Sequence, residues 1–317
     1  MEKRKQIVNS ILFMGILFII ICLITKWFVP KDNNALKGMM DARANGVLGE
    51  EKNTIDVLVI GDSESFTSIS PLPIWDKYGF TMFNGGVSSQ YLVDTLKYLE
   101  MVLEYQSPKI VLLEANAIYR KMDFDNVISS LASDIAPLLK YHNRWKTMDG
   151  RDFIDKVKYT NTDEMKGFWY KKTIVPPLST DGYMSYDNRR EEISSLNKYY
   201  LEKIVNVCNN NGIKLILYST PSVKNWNYQR HNAVLDFANN KNITYLDLNL
   251  EVDKLGIDWN IDSRDAGDHL NYYGAIKITD YMGDYLNSLN ILKSHKNDKK
   301  YDSWNKAYQR YLEKIQA

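Results

Sequence analysis

Apolar residues form one long uninterrupted run near the N-terminus of this 317-residue chain and several short runs farther along it. No charged residue occurs between Gln6 and Thr25. About 20 residues at a rise of ~1.5 Å each make a helix that matches the hydrocarbon thickness of a bilayer. The long run therefore predicts one membrane-spanning helix over residues 7–29.

The flanks of this helix predict its orientation. Residues 1–6 contain the basic sequence Glu2-Lys3-Arg4-Lys5, and basic flanks stay in the cytoplasm. Everything after Trp27 is then predicted to lie outside the cell membrane. A cleavable signal peptide is the alternative, but the apolar run is longer than a usual signal core and lacks a convincing cleavage site nearby. We therefore predict a retained single-pass anchor.

The short apolar runs are rich in Val, Ile and Leu, which is typical of strands buried on both faces of a parallel sheet. The predicted strands cover residues 56–60, 80–83, 109–114, 213–218 and 243–248. Amphipathic helices are predicted between them, over about 89–105, 190–210 and 228–239. This alternation predicts an α/β domain with a central parallel sheet of about five strands.

Other segments flank or interrupt this domain, which is predicted to cover residues 54–292. Residues 30–53 are polar and loop-rich, and we expect a stalk there. The alternation stops over about 119–190, where a functional cap is predicted because idle loops are rarely so long. Residues 293–317 form an amphipathic helix with Trp304 on its apolar face; it could dock on the domain, the membrane or a partner, and the domain is favoured.

Aromatic residues of the predicted cap are candidates for binding sugar rings, because a flat apolar face stacks on such a ring. The candidates are Trp145, Trp169 and Tyr183. For any single ring, a role in the cap's own small core is the favoured interpretation.

Composition excludes some functions. The chain has 40 basic and 39 acidic residues and a net charge of +1, which argues against a nucleic-acid partner. Its two cysteines are Cys22, inside the apolar run, and Cys208. Neither a disulfide nor a zinc site is therefore predicted, and we expect no cofactor and no bound metal.

Candidate chemistry lies where the first predicted strand ends in Gly61-Asp62-Ser63. Ligands of open α/β sheets bind at the carboxyl ends of strands, so Ser63 is well placed as a nucleophile. A serine nucleophile needs a base, usually histidine. Of four histidines, only His269 lies in an acid-rich turn between the last strand and a helix. Asp265 or Asp268 would orient its imidazole.

A serine nucleophile also requires donors for a tetrahedral oxyanion, each typically worth ~3 kcal/mol. We predict the backbone N–H groups of Ser63 and Gly86 and the side-chain amide of Asn116, because all three follow predicted strands. Three strand ends would then converge on one point.

Together these residues resemble the SGNH, or GDSL-type, hydrolase family over about residues 55–290. Gly61-Asp62-Ser63 is similar to its nucleophile block, Asn84-Gly85-Gly86 to its glycine block, Asn116 to its asparagine block and His269 to its histidine block. The resemblance implies a three-layer flavodoxin-like SGNH fold and a serine O-acyltransferase or esterase.

Two departures from the family pattern occur. Many members have Gly-x-Asn-Asp where this chain has Glu114-Ala115-Asn116-Ala117, and the position three residues before His269 is Ala266. Asp265 is favoured as the orienting acid, since a one-residue slip is easily accommodated in a loop and an adjacent side chain such as that of Asp268 usually points away.

A membrane anchor ahead of such a domain, with Ser63-Glu64-Ser65 and the sequence over 269–275, resembles the extracytoplasmic proteins that work beside a membrane-bound O-acyltransferase. These act in teichoic acid D-alanylation or polysaccharide O-acetylation. The resemblance implies an acyl-Ser63 intermediate, an acetyl or D-alanyl group, and a surface polysaccharide or teichoic acid as acceptor. It also implies a membrane-bound O-acyltransferase as partner.

Two other classes stay open. One is a non-catalytic surface protein that binds glycan or scaffolds an acyltransferase complex. The other is a metal site built from Asp262, Asp265, Asp268 and His269, although solvated carboxylates are the plainer explanation for an acid-rich turn.

Overall fold

A five-stranded parallel sheet lies at the centre of the fold in the computed structural model, which describes residues 2–316. The strands are β1 (Val57–Ile60), β2 (Met82–Asn84), β3 (Ile110–Glu114), β4 (Lys214–Ser219) and β5 (Thr244–Asp247). Their order, β2-β1-β3-β4-β5, is the flavodoxin-like one, with a switch point between β1 and β3. The predicted α/β class is confirmed, and each strand lies within two residues of its predicted ends.

Helices such as α4, α7 and α10 pack on the two faces of the sheet, and others lie outside these layers. In chain order the helices are α1 (Glu2–Phe28), α2 (Ser63–Ser68), α3 (Pro71–Tyr78), α4 (Leu92–Leu103), α5 (Phe124–Ile135), α6 (Pro137–Lys140), α7 (Ser195–Asn210), α8 (Tyr228–Lys241), α9 (Val252–Leu255), α10 (Tyr272–Ser288) and α11 (Asp302–Gln316).

Side chains of the central strands fill two apolar layers. Leu58 and Ile60 of β1 lie in the layer that includes α4 and α7, whereas Val57 and Val59 lie in the layer that includes α10. Burying such a side chain contributes about 1.5–3 kcal/mol. Because both faces are covered, β1 and β3 are buried throughout, which explains their continuous apolar sequence.

Helix α1 contains the long apolar run. Within residues 2–316 it is the one helix long and apolar enough to cross a membrane, and an 18-residue window in it has a mean hydropathy of 2.9. Its C-terminal end meets the domain: the Thr25 hydroxyl accepts a hydrogen bond from the Leu138 N–H at 2.9 Å. The rings of Trp27 and Phe153 lie 5.2 Å apart.

Residues 30–53 differ from the predicted stalk, because much of this segment packs on the domain. Ala44, Val47 and Leu48 are buried in the core layer that contains α4. Glu50 forms a buried ion pair with Lys166, at 2.7 Å. A few apolar residues anchor the segment, although its overall composition is polar.

The predicted cap region, 119–190, begins with α5 and α6 and continues as an extended segment. Trp169 donates its backbone N–H to the Phe66 carbonyl at 2.9 Å, and Val175 donates to the Ser263 carbonyl at 2.9 Å. The segment therefore runs past α2 and past the loop that precedes α10.

Helix α11 docks on the domain, as favoured from its apolar face. Trp304 packs on Trp75 of α3 with ring centroids 5.7 Å apart, and the Trp75 indole N–H donates to Asn305 at 3.1 Å. This contact accounts for the buried state of Trp304.

Candidate active site

The turn after β1 presents Ser63 as the first residue of α2. Gly61 has φ +140°, and a Cβ there would lie 2.8 Å from the Cβ of Glu114, so the turn requires glycine. Asp62 caps the helix by accepting the Glu64 N–H at 3.0 Å. Ser63 is half-buried, whereas its neighbours Asp62 and Glu64 are buried.

His269 lies in the loop before α10 and connects Ser63 to a carboxylate. The Ser63 hydroxyl is 2.8 Å from His269 Nε2, and His269 Nδ1 is 2.7 Å from Asp265 Oδ2. The His269 backbone N–H also donates to Asp265 Oδ1 at 2.6 Å. The structure thus brings Ser63, His269 and Asp265 into the linear arrangement of a Ser–His–Asp triad.

The geometry separates the two candidate aspartates. Asp268 Oδ1 is 3.5 Å from His269 Nδ1 and instead accepts the Asn225 amide at 2.6 Å. Positive φ angles at Ala266 and Gly267 bend the loop back, so the residue four positions before His269 reaches the imidazole. Asp265 therefore occupies the orienting position.

The charge state of Asp265 suits that position. Partial burial alone would raise the pKa of its carboxyl group, but hydrogen bonds from the side chain and backbone of His269 outweigh burial and lower it. Asp265 is therefore ionised at neutral pH, where it would stabilise an imidazolium on His269.

The predicted oxyanion donors lie on the turns after three adjacent strands, β2, β1 and β3. The N–H of Ser63 has no intrahelical partner because it is the first of α2. A Cβ on Gly86 would lie 1.8 Å from the Ser65 hydroxyl oxygen, so only glycine fits there. The Asn116 amide donates to Asp62 Oδ2 at 2.8 Å, which places it beside the Ser63 turn.

Arg43 supports the glycine turn and was not predicted from the sequence. Its guanidinium donates to the Gly86 carbonyl at 2.6 Å and to the Gly167 carbonyl, and it lies 3.9 Å above the Phe66 ring. Arg43 belongs to the segment expected to be a stalk, and nothing in its local sequence indicates this long-range contact.

Two buried carboxyl groups, Glu64 and Glu114, surround the nucleophile turn. Glu114 accepts the backbone N–H of Asn116 at 2.8 Å and the backbone N–H of Thr220 at 3.1 Å. It therefore fixes the backbone of the residue whose side-chain amide is the predicted oxyanion donor. Glu64 accepts the Asn225 amide at 2.7 Å. Burial raises the pKa of both glutamates well above the usual range, and neighbouring carboxyl groups raise it further.

The four residues considered as a metal site do not form one cluster. Asp262 is buried and pairs with Lys277 at 2.6 Å, and Asp265 is held by His269. Ligand atoms of Glu64, Asp268 and His269 do lie within 4.8 Å of one another. Asn225 bridges the two carboxylates of this group by hydrogen bonds.

The three aromatic candidates are dispersed. Trp169 stacks on Phe66 of α2, with ring centroids 5.5 Å apart, and so lies near the nucleophile turn. The Tyr183 hydroxyl donates to Asn249 at 2.8 Å. Trp145 is exposed on a short 3-10 helix that contacts α1. Sugar binding by any of these rings stays a prediction.

No family model and no curated protein matches the chain. Similar solved structures include a protein described as lipolytic and of the G-D-S-L family from Desulfitobacterium hafniense DCB-2, at 15% identity and a TM-score of 0.40, covering 73% of this chain and 99% of that one. The esterase EstA from Pseudoalteromonas sp. has 13% identity and a TM-score of 0.39, covering 74% and 98%. A GDSL-like lipase from Bacteroides thetaiotaomicron VPI-5482 has 11% identity and a TM-score of 0.37, covering 74% and 88%.

Two of these structures are described as of the GDSL type and the third as an esterase, all at low sequence identity. No function of this chain follows from a likeness at this level.

Proposed function

We propose that this chain is an SGNH-type serine esterase or O-acyltransferase that acts through an acyl-Ser63 intermediate. The supporting observation is the continuous hydrogen-bond chain from the Ser63 hydroxyl through His269 to Asp265, with distances of 2.8 and 2.7 Å. A non-catalytic scaffold would not require this alignment, and a His269 imidazole far from Ser63 would have favoured one.

In the proposed reaction, His269 Nε2 removes the Ser63 proton as Oγ attacks the carbonyl carbon of an ester. The N–H groups of Ser63 and Gly86 and the Asn116 amide stabilise the resulting oxyanion. The leaving alcohol takes the proton from His269, and acyl-Ser63 remains. A second alcohol, or water, then loses its proton to His269 and attacks the acyl carbonyl, which restores Ser63.

The finer proposal is that the acceptor is a hydroxyl of a surface polysaccharide or teichoic acid and that the acyl group is acetyl or D-alanyl. Helix α1 is long enough to anchor the domain at the outer face of the cell membrane. A membrane-bound O-acyltransferase would be a suitable partner, because acyl donors inside the cell must cross the membrane to reach Ser63.

The test is covalent labelling of the full chain in detergent micelles with 4-nitrophenyl acetate. Intact-protein mass should show one acetyl group on wild type and none on Ser63→Ala, and nitrophenol release should fall by about 10⁴-fold or more. Ser88→Ala is the matched control, because Ser88 is an exposed residue in a neighbouring loop. Equal labelling of wild type and Ser63→Ala would overturn the proposal.

Transfer and hydrolysis are separated by adding glycerol to the same reaction. A transferase should convert acyl-Ser63 to acetylglycerol in preference to acetate, and deacylation should accelerate with glycerol concentration. Release of acetate alone, at a rate independent of glycerol, would restrict the activity to an esterase.

A further inference from the structure

A cavity of about 380 Å³ opens beside the proposed oxyanion site. Asp62 and Asn116 form the wall nearest Ser63. The cations Arg120, Lys121 and Arg230 line the rest, together with Tyr91, Tyr119 and Asn225. The triad chemistry uses none of these cations, so their concentration in one cavity requires another explanation.

Two of the cations face the cavity without a carboxylate partner. Arg120 and Lys121 are exposed, and neither forms an ion pair with any residue between 2 and 316. The Arg120 guanidinium lies 5.7 Å from the centroid of the Tyr91 ring, which also lines the cavity. Both charges are therefore available to a ligand.

Arg230 is fixed in place instead. Its guanidinium forms a two-pronged ion pair with Glu191, at 3.0 and 2.9 Å, and lies 4.5 Å from the Tyr119 ring centroid. It also donates to the Asn225 carbonyl at 2.6 Å and reaches the Asn116 side-chain oxygen at 3.4 Å. Arg230 thus connects the cavity to the proposed oxyanion amide.

The acidic groups at the cavity do not cancel these charges. Glu191 balances Arg230, and Asp62 contributes one carboxyl group, whose Oδ2 accepts the Asn116 amide and which the Arg120 charge attracts. Arg120 and Lys121 against the single carboxyl group of Asp62 leave the cavity with a net positive charge. Arginine and lysine in a recess favour phosphate or carboxylate groups, which accept charge-assisted hydrogen bonds.

We propose that this cavity binds an anionic group, a phosphate or a carboxylate, carried by the substrate next to the ester that reacts at Ser63. This inference rests on the proposed function and narrows its substrate class to acyl esters of acidic molecules. The anion would lie against Arg120 and Lys121 while the ester carbonyl lies at Asn116 and Gly86. The position of the anion would then direct the carbonyl carbon toward Ser63 Oγ.

Binding is tested first, on the full chain carrying Ser63→Ala in detergent micelles, so that no turnover occurs. Glycerol, glycerol 3-phosphate and glycerate are titrated by NMR. Both anions, or one of them, should bind at least about tenfold more tightly than glycerol, and added NaCl should weaken that binding. Tighter binding of glycerol 3-phosphate would identify the anionic group as a phosphate, and tighter binding of glycerate would identify it as a carboxylate.

The variant Arg120→Gln/Lys121→Gln should lose at least about tenfold in affinity for the anion, since each cation supplies a charge-assisted hydrogen bond. Lys77→Gln is the matched control, because Lys77 is an exposed lysine on α3 that does not line the cavity. Equal binding of glycerol and both anions, or equal anion binding by the double variant and the control, would overturn the inference.

The second readout uses enzyme with intact Ser63 and compares acetylglycerol 3-phosphate with acetylglycerol. The ratio of kcat/KM for the phosphorylated over the neutral ester should fall about tenfold or more in the double variant. Ser63-dependent turnover without any preference for the charged ester would reject the anion site and retain the proposed function. Anion binding without acylation of Ser63 would reject the function and retain the anion site.

Discussion

Two histidine–carboxylate pairs in this protein have the same short distance and opposite surroundings. His269 Nδ1 lies 2.7 Å from Asp265, and His231 Nδ1 lies 2.7 Å from Asp247. Judged by that distance alone, either pair could belong to a catalytic triad. The difference lies in what else each partner contacts.

The pair formed by His231 and Asp247 is part of the packing between α8 and β5. The His231 ring lies next to the rings of Tyr228 and Tyr245, with centroids 5.3 and 5.8 Å away. Asp247 also accepts hydrogen bonds from the Ser219 hydroxyl, at 2.6 Å, and from an indole N–H. The carboxylate oxygens of Asp247 accept hydrogen bonds from buried donors, so this residue has a structural role.

The pair formed by His269 and Asp265 instead lies at the carboxyl edge of the sheet, and Nε2 of His269 meets a serine hydroxyl. The second imidazole nitrogen therefore distinguishes a candidate base from a structural histidine. A short bond on Nδ1 fixes the tautomer in both cases, but of the two only His269 has a serine hydroxyl on its other side.

The largest expected effect is the contrast between His269→Ala and His231→Ala. Loss of His269 should reduce kcat/KM for 4-nitrophenyl acetate by about 10⁴–10⁶-fold, because Ser63 loses its base. Loss of His231 should leave the activity within about tenfold and lower the free energy of unfolding by about 1–3 kcal/mol, because buried Asp247 loses a partner.

Activity and urea unfolding should be measured on both variants. A His231→Ala protein that is folded and inactive would break the distinction between the two pairs, as would a His269→Ala protein that retains activity.

A smaller effect separates the two aspartates next to His269. Asp265→Asn should lower kcat by about 10⁴-fold, because an amide at this position no longer fixes the imidazole tautomer or stabilises the imidazolium. Asp268→Asn should cost at most about tenfold, since its oxygen contacts the Asn225 amide. Steady-state kinetics on the two variants decide between the two aspartates. A larger loss of kcat for Asp268→Asn than for Asp265→Asn would assign the orienting role to Asp268.

Much of the fold could be predicted because its signals are local. The strands β1 and β3 are buried on both faces, so each is a continuous apolar run that a short window detects. Ser63 and His269 could likewise be placed, since each follows or precedes a predicted element at the active edge of a parallel sheet.

What could not be predicted depends on contacts between distant segments. Arg43 reaches Gly86 from a polar segment that lacks any periodic pattern, so only the folded chain shows that it supports the proposed oxyanion site. Asp265 and Asp268 were both plausible, because positive φ angles at Ala266 and Gly267 determine which carboxylate faces His269. The position of Trp145, on a short helix beside α1, likewise depends on a contact between segments far apart in the sequence.

The smallest expected effect concerns acid stability and compares Asp247→Asn with Asp265→Asn. Burial alone would raise the pKa of Asp247, but hydrogen bonds from His231, Ser219 and Asn249 outweigh it, and its pKa is lowered, as is that of Asp265. A lowered pKa in the folded state stabilises the protein above the carboxyl group's ordinary pKa, and this stabilisation is lost as pH falls through the folded-state value.

Asp247→Asn should therefore lower the free energy of unfolding at pH 7 by about 1–3 kcal/mol, and its difference from wild type should shrink as the pH falls below about 4. Asp265→Asn should change stability in the same direction but by less, because Asp265 is partly exposed and solvent screens its charge. Urea unfolding of both variants between pH 3 and pH 7 measures this, because the midpoints can be compared directly where the denaturant slope is unchanged. A larger loss in the free energy of unfolding for Asp265→Asn than for Asp247→Asn would show that the pair of His269 and Asp265 also stabilises the fold. The contrast between the two histidine–carboxylate pairs would then no longer hold.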